Sequence, residues 1–223
     1  GLQNWIDIEN ELKSYSNNAN EVLRSTYEQD FENLSKELKN YLLQIDYSSL
    51  NKKSQAYQLI DNISNEDFLI FDFNYTNTIK QILSEMHFRE SEIEERLIKV
   101  HGSVNDDIIF GVEDSANLFP GHVFLRKAFS RNFKGIKINT HIKNTSDLFI
   151  FGHSLGETDH MYFKNFFGER SLGVEDYSSK NITIYFHGRS GYTKIISQID
   201  VLTRYNLTGF KQNNAFNTID TDI

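Results

Sequence analysis

The residues Gly-His-Ser-Leu-Gly at positions 152–156 have the spacing of a nucleophile motif. In a G-x-S-x-G pattern that follows a buried strand, Ser154 would be the nucleophile of an α/β-hydrolase. Such an enzyme also needs an acid and then a histidine, and Asp176 and His187 follow in that order. The same turn can instead direct backbone N–H groups towards a phosphate or a ribose. No glycine-rich oxyanion loop precedes the motif, which favours the nucleotide-binding interpretation.

Two other polar side chains follow apolar runs that are typical of buried strands. The carboxamide of Asn74 offers a donor and an acceptor to a ribose, an amide or an ordered water. Its alternative role is to cap a helix that begins near Thr76. His101, which precedes Gly102, could be a general base or a ribose contact, or a histidine that satisfies buried backbone groups. Local sequence leaves both pairs of alternatives open.

Metal chemistry and the common phosphate-binding signatures have little support in this sequence. The seven histidines lack the ligand spacing of known zinc motifs. Cysteine is absent, which excludes disulfides, a thiolate nucleophile and Cys-ligated zinc. The sequence contains neither a Walker-type loop nor a G-x-G-x-x-G motif. We therefore expect no metal site.

The elements that would position these residues follow from the hydrophobic periodicity. Apolar runs predict strands at 68–73, 97–100, 107–110, 147–151 and 181–186. Spacings of three and four residues predict helices at 4–12, 20–45, from 79 onwards, at 123–133, from 158 onwards and at 192–205. Asp7 and Glu9 in the first of these helices are expected to be solvated surface carboxylates.

Strands that alternate with helices predict an α/β fold of Rossmann-like type, with a mostly parallel sheet and helices on both of its faces. We expect a helical segment at 1–62 that packs on the core, the α/β core at 63–208 and a flexible tail at 209–223. Ligands of such sheets bind at the carboxyl ends of the strands. Three predicted strands end at Asn74, His101 and Gly152, so these loops are the candidate site.

Charge and hydropathy exclude several classes of partner. The net charge of −8 opposes a broad surface that neutralises DNA phosphates, so nucleic acid is not an expected partner. No apolar run reaches the roughly 20 residues that a membrane-spanning helix needs. The N-terminus also lacks the basic and apolar regions of a secretion signal. These features predict a cytoplasmic protein that has no membrane contact.

Five segments taken together resemble the AbiH family of bacterial phage-defence proteins. They are Asn-Trp-Ile-Asp-Ile-Glu at 4–9, Phe-Asn-Tyr-Thr-Asn-Thr at 73–78, Val-His-Gly at 100–102, Gly111, and Ile-Phe-Gly-His-Ser-Leu-Gly-Glu-Thr-Asp at 150–159. The resemblance extends to about residue 205. Each segment is a weak signal by itself, but their common order along the chain is more specific.

The AbiH family is in turn similar to sirtuin-like domains of phage-defence effectors, many of which cleave NAD at the nicotinamide–ribose bond. This more distant resemblance implies that NAD or a related nucleotide is the ligand, without a metal. Asn74 and His101 match the positions that serve the reaction. The implied cofactor-binding residues are Tyr75, Thr76, Gly102, Gly111, Gly152, His153, Ser154, Leu155, Gly156 and Asp159.

Two departures from the pattern qualify this resemblance. Sirtuin-like domains usually carry an acidic residue two places after the asparagine, where this chain has Thr76. The resemblance therefore implies a weaker or different polarisation of the ribose or of an attacking water. AbiH-like chains also have a Gly-Asn-Gly-Phe-Asp type motif on their first strand, which is missing here. We expect that this strand and its phosphate loop precede the sequence, and that their loss would weaken NAD binding and expose a sheet edge.

The resulting functional prediction is an antiphage protein of bacteria that binds NAD or a related nucleotide, with hydrolysis by the intact protein left open. The alternative is a non-catalytic nucleotide-sensing or interaction module. A serine hydrolase that uses Ser154 is the third hypothesis. Self-association into a homo-oligomer and a phage-derived trigger or partner protein both remain open.

Overall fold

The structure is a computed structural model that describes residues 5–17, 24–173 and 178–222. It divides into two compact units, residues 1–135 and 136–223. The N-terminal unit contains α1 (Trp5–Asn17), α2 (Arg24–Leu42), α3 (Gln55–Ile63), β1 (Ile70–Asp72), α4 (Thr78–Glu85), α5 (Glu90–Arg96), β2 (Leu97–Lys99) and two 3-10 helices, Pro120–Leu125 and Lys127–Phe129.

β1 and β2 of this unit form a parallel pair, and Asp72 lies opposite Lys99. Parallel strands need a long crossover, which α4 and α5 provide here. Their apolar sides pack with α3 in a cluster whose buried members are Ile60, Ile82, Leu83 and Ile93. This β-α-α-β arrangement brings the carboxyl ends of both strands to one edge.

α1 is attached to the segment 110–130 by polar contacts as well as apolar ones. The Lys127 ammonium lies 3.3 Å from the Glu9 carboxylate, and both side chains are buried. The expectation that Glu9 is a solvated surface residue is therefore wrong, because its charge is paired inside the unit. Lys13 forms a second ion pair with Glu113 at 2.8 Å. The side chain of Asp7 lies outside the described residues.

The C-terminal unit contains α6 (Ile138–Asn144), β3 (Asp147–Phe151), a 3-10 turn (Glu157–Asp159), α7 (His160–Ser171), β4 (Asn181–Phe186), α8 (Gly188–Leu202), α9 (Leu207–Asn213) and β5 (Ala215–Asp220). Its three strands form a parallel sheet in the order β3-β4-β5. Phe163, Phe166 and Phe167 of α7 are buried. Phe167 packs against Phe210 of α9, and Phe210 in turn contacts Phe216 of β5, so aromatic rings link these two helices to the sheet.

The predicted α/β class with parallel strands and flanking helices is confirmed. The described strands, however, form two sheets rather than the single sheet that the sequence suggested. Predicted strands 147–151 and 181–186 agree with β3 and β4 to the residue. The helices predicted at 20–45 and 192–205 correspond to α2 and α8.

Three predicted elements are wrong. The segment 107–110 is not a strand, because only Ile108 forms an isolated bridge, and Ile109 and Phe110 are buried as loop residues. The predicted helix 123–133 is replaced by the two 3-10 helices, with extended backbone at Arg126 between them. The predicted flexible tail 209–223 contains the end of α9 and all of β5, because pairing with β4 satisfies the backbone of this polar segment.

Candidate functional site

The loop that follows β1 and the loop that follows β2 meet at the carboxyl edge of the two-stranded sheet. Asn74 and His101 each lie two residues beyond the paired residues Asp72 and Lys99. The His101 ring packs edge-on against the rings of Phe73 and Tyr75, at centroid distances of 5.4 and 6.5 Å. The structure therefore brings together the two residues that the sequence singles out as catalytic candidates.

The loop 73–76 is held by an ion pair between Asp72 and Lys99. The Lys99 ammonium donates to the buried Asp72 carboxylate at 2.7 Å and to the carbonyls of Asn74 at 2.5 Å and Thr76 at 2.6 Å. An ammonium has three donors, and these contacts use all of them. Lys99 therefore fixes the shape of the loop and is not available to bind a phosphate.

The other Asp72 oxygen accepts from the Asn74 backbone N–H at 2.9 Å and from its side-chain amide at 3.3 Å. Asn74 is exposed, so the rest of its carboxamide faces solvent. The capping alternative for Asn74 is wrong, because α4 begins at Thr78 and its N-cap is Asn77. Thr76 stands two places after Asn74, where the resemblance implies an acidic residue. In this structure the carboxylate that contacts Asn74 is that of Asp72, two places before it.

His101 is buried, with 4% of its surface exposed, so its imidazole does not face solvent. Gly102 follows it with a φ of +74°, and the chain then returns so that the Ile109 N–H donates to the His101 carbonyl at 2.7 Å. A Cβ at Gly102 would lie 2.1 Å from the carbonyl oxygen of Asp107. Gly102 is therefore required by the close approach of two backbone segments.

Gly111 has a structural explanation in place of a ligand contact. Its φ is +144°, and an added Cβ would lie 2.3 Å from the Leu125 carbonyl oxygen. Next to it, Val112 donates to Leu125 at 2.8 Å and accepts from Lys127 at 2.9 Å. The buried Gly111 thus permits a bridge between two irregular segments.

The loop 152–159 lies in the C-terminal unit, at the carboxyl end of β3. The Leu155 N–H donates to Nδ1 of His153 at 2.9 Å, which leaves the ring proton on Nε2. That nitrogen lies 3.3 Å from the Asp159 carboxylate, and the ring packs against Phe163 at 5.3 Å. His153 and Asp159, which both belong to this loop, therefore stabilise its conformation.

Two backbone donors of this loop are already used. Besides Leu155, the Gly156 N–H donates to the Ser154 hydroxyl at 3.2 Å. A phosphate at this turn would compete with these internal bonds. Gly152 differs from Gly102, because its φ of +64° is combined with open space where a Cβ would be.

The geometry of Ser154 does not resemble a nucleophile elbow. In such an elbow the serine itself occupies the strained turn between strand and helix. Here the left-handed residue is the buried Leu155, with a φ of 52°, and Ser154 is not among the residues with positive φ. The downstream histidine, His187, is largely exposed and lies 3.4 Å from Asp222. Asp176 lies outside the described residues.

Within residues 5–17, 24–173 and 178–222, no group of three or more His, Cys, Asp or Glu side chains is placed to hold a metal ion. None of the helices in the same ranges has the length and apolar composition needed to cross a lipid bilayer.

Sequence reasoning missed three residues that shape the site. Asp72 and Lys99 are charged residues within apolar strand runs, which is a signal, but their pairing depends on the register of β1 and β2. Tyr47 accepts a hydrogen bond from the Asn77 N–H at 3.0 Å and so fixes the start of α4. No local motif marks Tyr47, because its partner lies 30 residues away.

A family model described as "Bacteriophage abortive infection AbiH" matches residues 2–175, which is well over half of the chain. It covers both the Asn74 and His101 loops and the loop 152–159. No curated protein and no solved structure matches the sequence.

Proposed function

This chain belongs to the AbiH family of bacteriophage abortive-infection proteins, and we propose that it binds a nucleotide, with NAD as the first candidate, at the carboxyl edge of β1 and β2. Family membership supports a role in defence against phage. Nucleotide binding is our proposal for how this chain acts within that role. The proposal also includes a cytoplasmic location for the protein, a phage-derived trigger or partner protein, and self-association into a homo-oligomer.

The observation that supports the proposal is the loop 73–76, whose conformation is fixed by Asp72 and Lys99. Asn74 presents an exposed carboxamide at the strand ends, where ligands of parallel sheets bind. Its backbone and amide are oriented by Asp72, and Lys99 fixes the carbonyls on either side of Tyr75. A pre-ordered carboxamide loses little conformational entropy when it binds a ribose hydroxyl.

The burial of His101 is compatible with nucleotide binding but opposes a role for this residue in nucleotide hydrolysis. A general base must come within hydrogen-bond reach of the proton that it abstracts. His101 is covered by Phe73 and Tyr75, so hydrolysis of the nicotinamide–ribose bond would require one of these rings to move. Binding through Asn74 requires no such movement. This observation favours the second candidate function, a non-catalytic nucleotide-binding module.

The test is to titrate the 223-residue chain with NAD by calorimetry and to follow nicotinamide release in the same samples by chromatography. We expect Asn74→Ala to weaken NAD binding about tenfold or more, because the oriented carboxamide is lost. Asn62→Ala, at an exposed asparagine of α3, is the matched control and should leave the affinity unchanged. Absence of NAD binding at millimolar concentration, or equal effects of the two variants, would contradict the proposal.

Nicotinamide release separates the two candidate functions. Release that His101→Gln abolishes while NAD still binds would establish hydrolysis with His101 as the catalytic residue. Binding without release would select the non-catalytic module. Covalent labelling of Ser154 by a fluorophosphonate probe would return the serine-hydrolase hypothesis, which the turn geometry does not favour.

A further inference from the structure

A cavity of about 240 Å³ lies within the N-terminal unit, between α1, α2 and the 3-10 helix Pro120–Leu125. Its lining contains four aromatic rings, three leucines, one histidine, one serine and one aspartate. These residues are Leu12, Tyr15, Ser16, Tyr27, Asp30, Phe31, Leu34, His122, Phe124 and Leu125. The cavity contains none of the residues of the Asn74 site.

The walls of the cavity are mainly aromatic rings that contact one another. Tyr15 and Tyr27 pack edge-to-face at 5.4 Å, and Tyr27 packs against His122 at the same distance. Phe31 and Phe124 pack at 6.0 Å. Ring faces and edges of this kind suit a planar aromatic guest, because they allow offset and edge-to-face packing.

One polar pair is built into the wall. Ser16 and His122 are 2% and 1% exposed. The Phe119 N–H donates to the Ser16 hydroxyl oxygen at 3.1 Å, and this oxygen lies 3.0 Å from His122 Nδ1. A hydroxyl donates one hydrogen bond and accepts two, so Ser16 can bond the Phe119 N–H and the imidazole at the same time. This chain of bonds fixes the orientation of the His122 ring in the wall.

The charge of the lining selects the ligand. Among the lining residues that the structure describes, Asp30 is the only carboxylate, and no lysine or arginine is present. Aromatic ring faces attract cations and repel anions. A phosphate or carboxylate group in this cavity would therefore be desolvated without a cationic partner. The described lining therefore disfavours NAD and other phosphate-bearing molecules as occupants.

The volume of the cavity limits how many aromatic rings a ligand can have. A dry apolar cavity of about 150 Å³ accommodates benzene. The volume of about 240 Å³ therefore admits one ring with substituents or two fused rings. We propose that this cavity is a binding site for a planar compound of one or two aromatic rings that carries no negative charge. This site is independent of the proposed nucleotide site.

The test uses three probes of one size and different charge: benzamide, benzamidinium and benzoate. Each is titrated into the 223-residue chain at neutral pH and followed by saturation-transfer NMR. We expect saturable binding of benzamide and benzamidinium, with benzoate about tenfold weaker or more, because its carboxylate lacks a partner in the lining.

Two tyrosines provide a matched pair of variants. Tyr15 lines the cavity and Tyr41 does not, yet their exposures are 62% and 64%. Tyr15→Ala should weaken benzamide binding about fivefold or more, since a wall ring is lost, whereas Tyr41→Ala should change it by less than about twofold. A second variant, Leu34→Trp, places a larger side chain at the cavity and should also weaken binding. Circular dichroism verifies that each variant is folded.

Three outcomes would overturn the proposal. They are the absence of saturable binding by all three probes, benzoate binding as tight as that of benzamide, and an unchanged affinity in both folded Tyr15→Ala and Leu34→Trp proteins. Each outcome is distinguishable from a failure of the nucleotide proposal, because NAD binding is measured on the same protein with different variants.

Discussion

The ion pair between Lys99 and Asp72 offers the sharpest test of how the candidate site is held. We predict that Lys99→Met destabilises the protein strongly at neutral pH. The Asp72 side chain is 3% exposed and that of Lys99 is 19% exposed, so the variant leaves a buried carboxylate without its cation. It also removes the donor to the two loop carbonyls.

The magnitude follows from these contacts. Breaking a buried ion pair on one side costs about 3–5 kcal/mol. Asp72 keeps its two hydrogen bonds from Asn74, and Lys99 is not fully buried, which lowers the expectation to about 2–4 kcal/mol. At a typical slope this free energy corresponds to a decrease of about 1–2 M in the midpoint of urea denaturation.

The control is another lysine–carboxylate pair of the same unit, at the surface. Lys80 and Glu90 are 41% and 59% exposed, so Lys80→Met should cost about 0.5 kcal/mol or less. Adding Asp72→Asn to Lys99→Met should recover about 1–2 kcal/mol, because the unpaired charge is removed. If Lys99→Met costs no more than Lys80→Met, or if Asp72→Asn makes it worse, the ion pair does not hold the loop.

Two further predictions concern backbone strain and titration. Gly102→Ala should cost clearly more than Gly152→Ala in urea denaturation, because both have positive φ but only Gly102 would place its Cβ against a backbone carbonyl oxygen; Gly152→Ala should cost about 1–2 kcal/mol, and equal costs would refute the steric argument. Hydrogen bonds from the Ser146 hydroxyl and the Asn181 amide lower the pKa of Asp147, so its contribution to stability is present above its unfolded pKa and is lost as the pH falls through the folded value. Ser146→Ala should raise this pKa in an NMR titration, and an unchanged titration would contradict the assignment of its cause.

The sequence predicted two of the three strands of the C-terminal sheet, β3 and β4, but not the third, β5. β3 and β4 are apolar runs bounded by polar turns, so their ends coincide with changes in composition. β5 is mostly exposed and contains Asn217 and Thr218, so it lacks an apolar pattern. Its strand conformation comes from backbone pairing with β4, which hydropathy cannot reveal.

The candidate site shows the same division between local and non-local information. Asn74 and His101 were identified because each follows an apolar run, and the parallel pairing places them at one edge. The sequence offered a buried His101 as one of two alternatives, but it did not reveal its ring contacts, because Phe73 and Tyr75 belong to the other loop. In the sequence, Lys99 is only a charged residue within a predicted strand. Its contacts with Asp72 and with the carbonyls of Asn74 and Thr76 depend on the pairing of β1 with β2.

The position of Lys99 in the chain also has a consequence for the order of folding. Its acceptor at Asn74 lies 25 residues earlier, and α4 and α5 fall between them. Contacts between distant residues form only after the cost of closing the intervening loop has been met. The loop 73–76 therefore acquires its final conformation when β2 pairs with β1. A nascent chain that ends before residue 97 lacks Lys99 and its hydrogen bonds to this loop. Slow amide exchange at Val100, whose N–H donates to the Asp72 carbonyl across the two strands, would then report the opening of this strand pair.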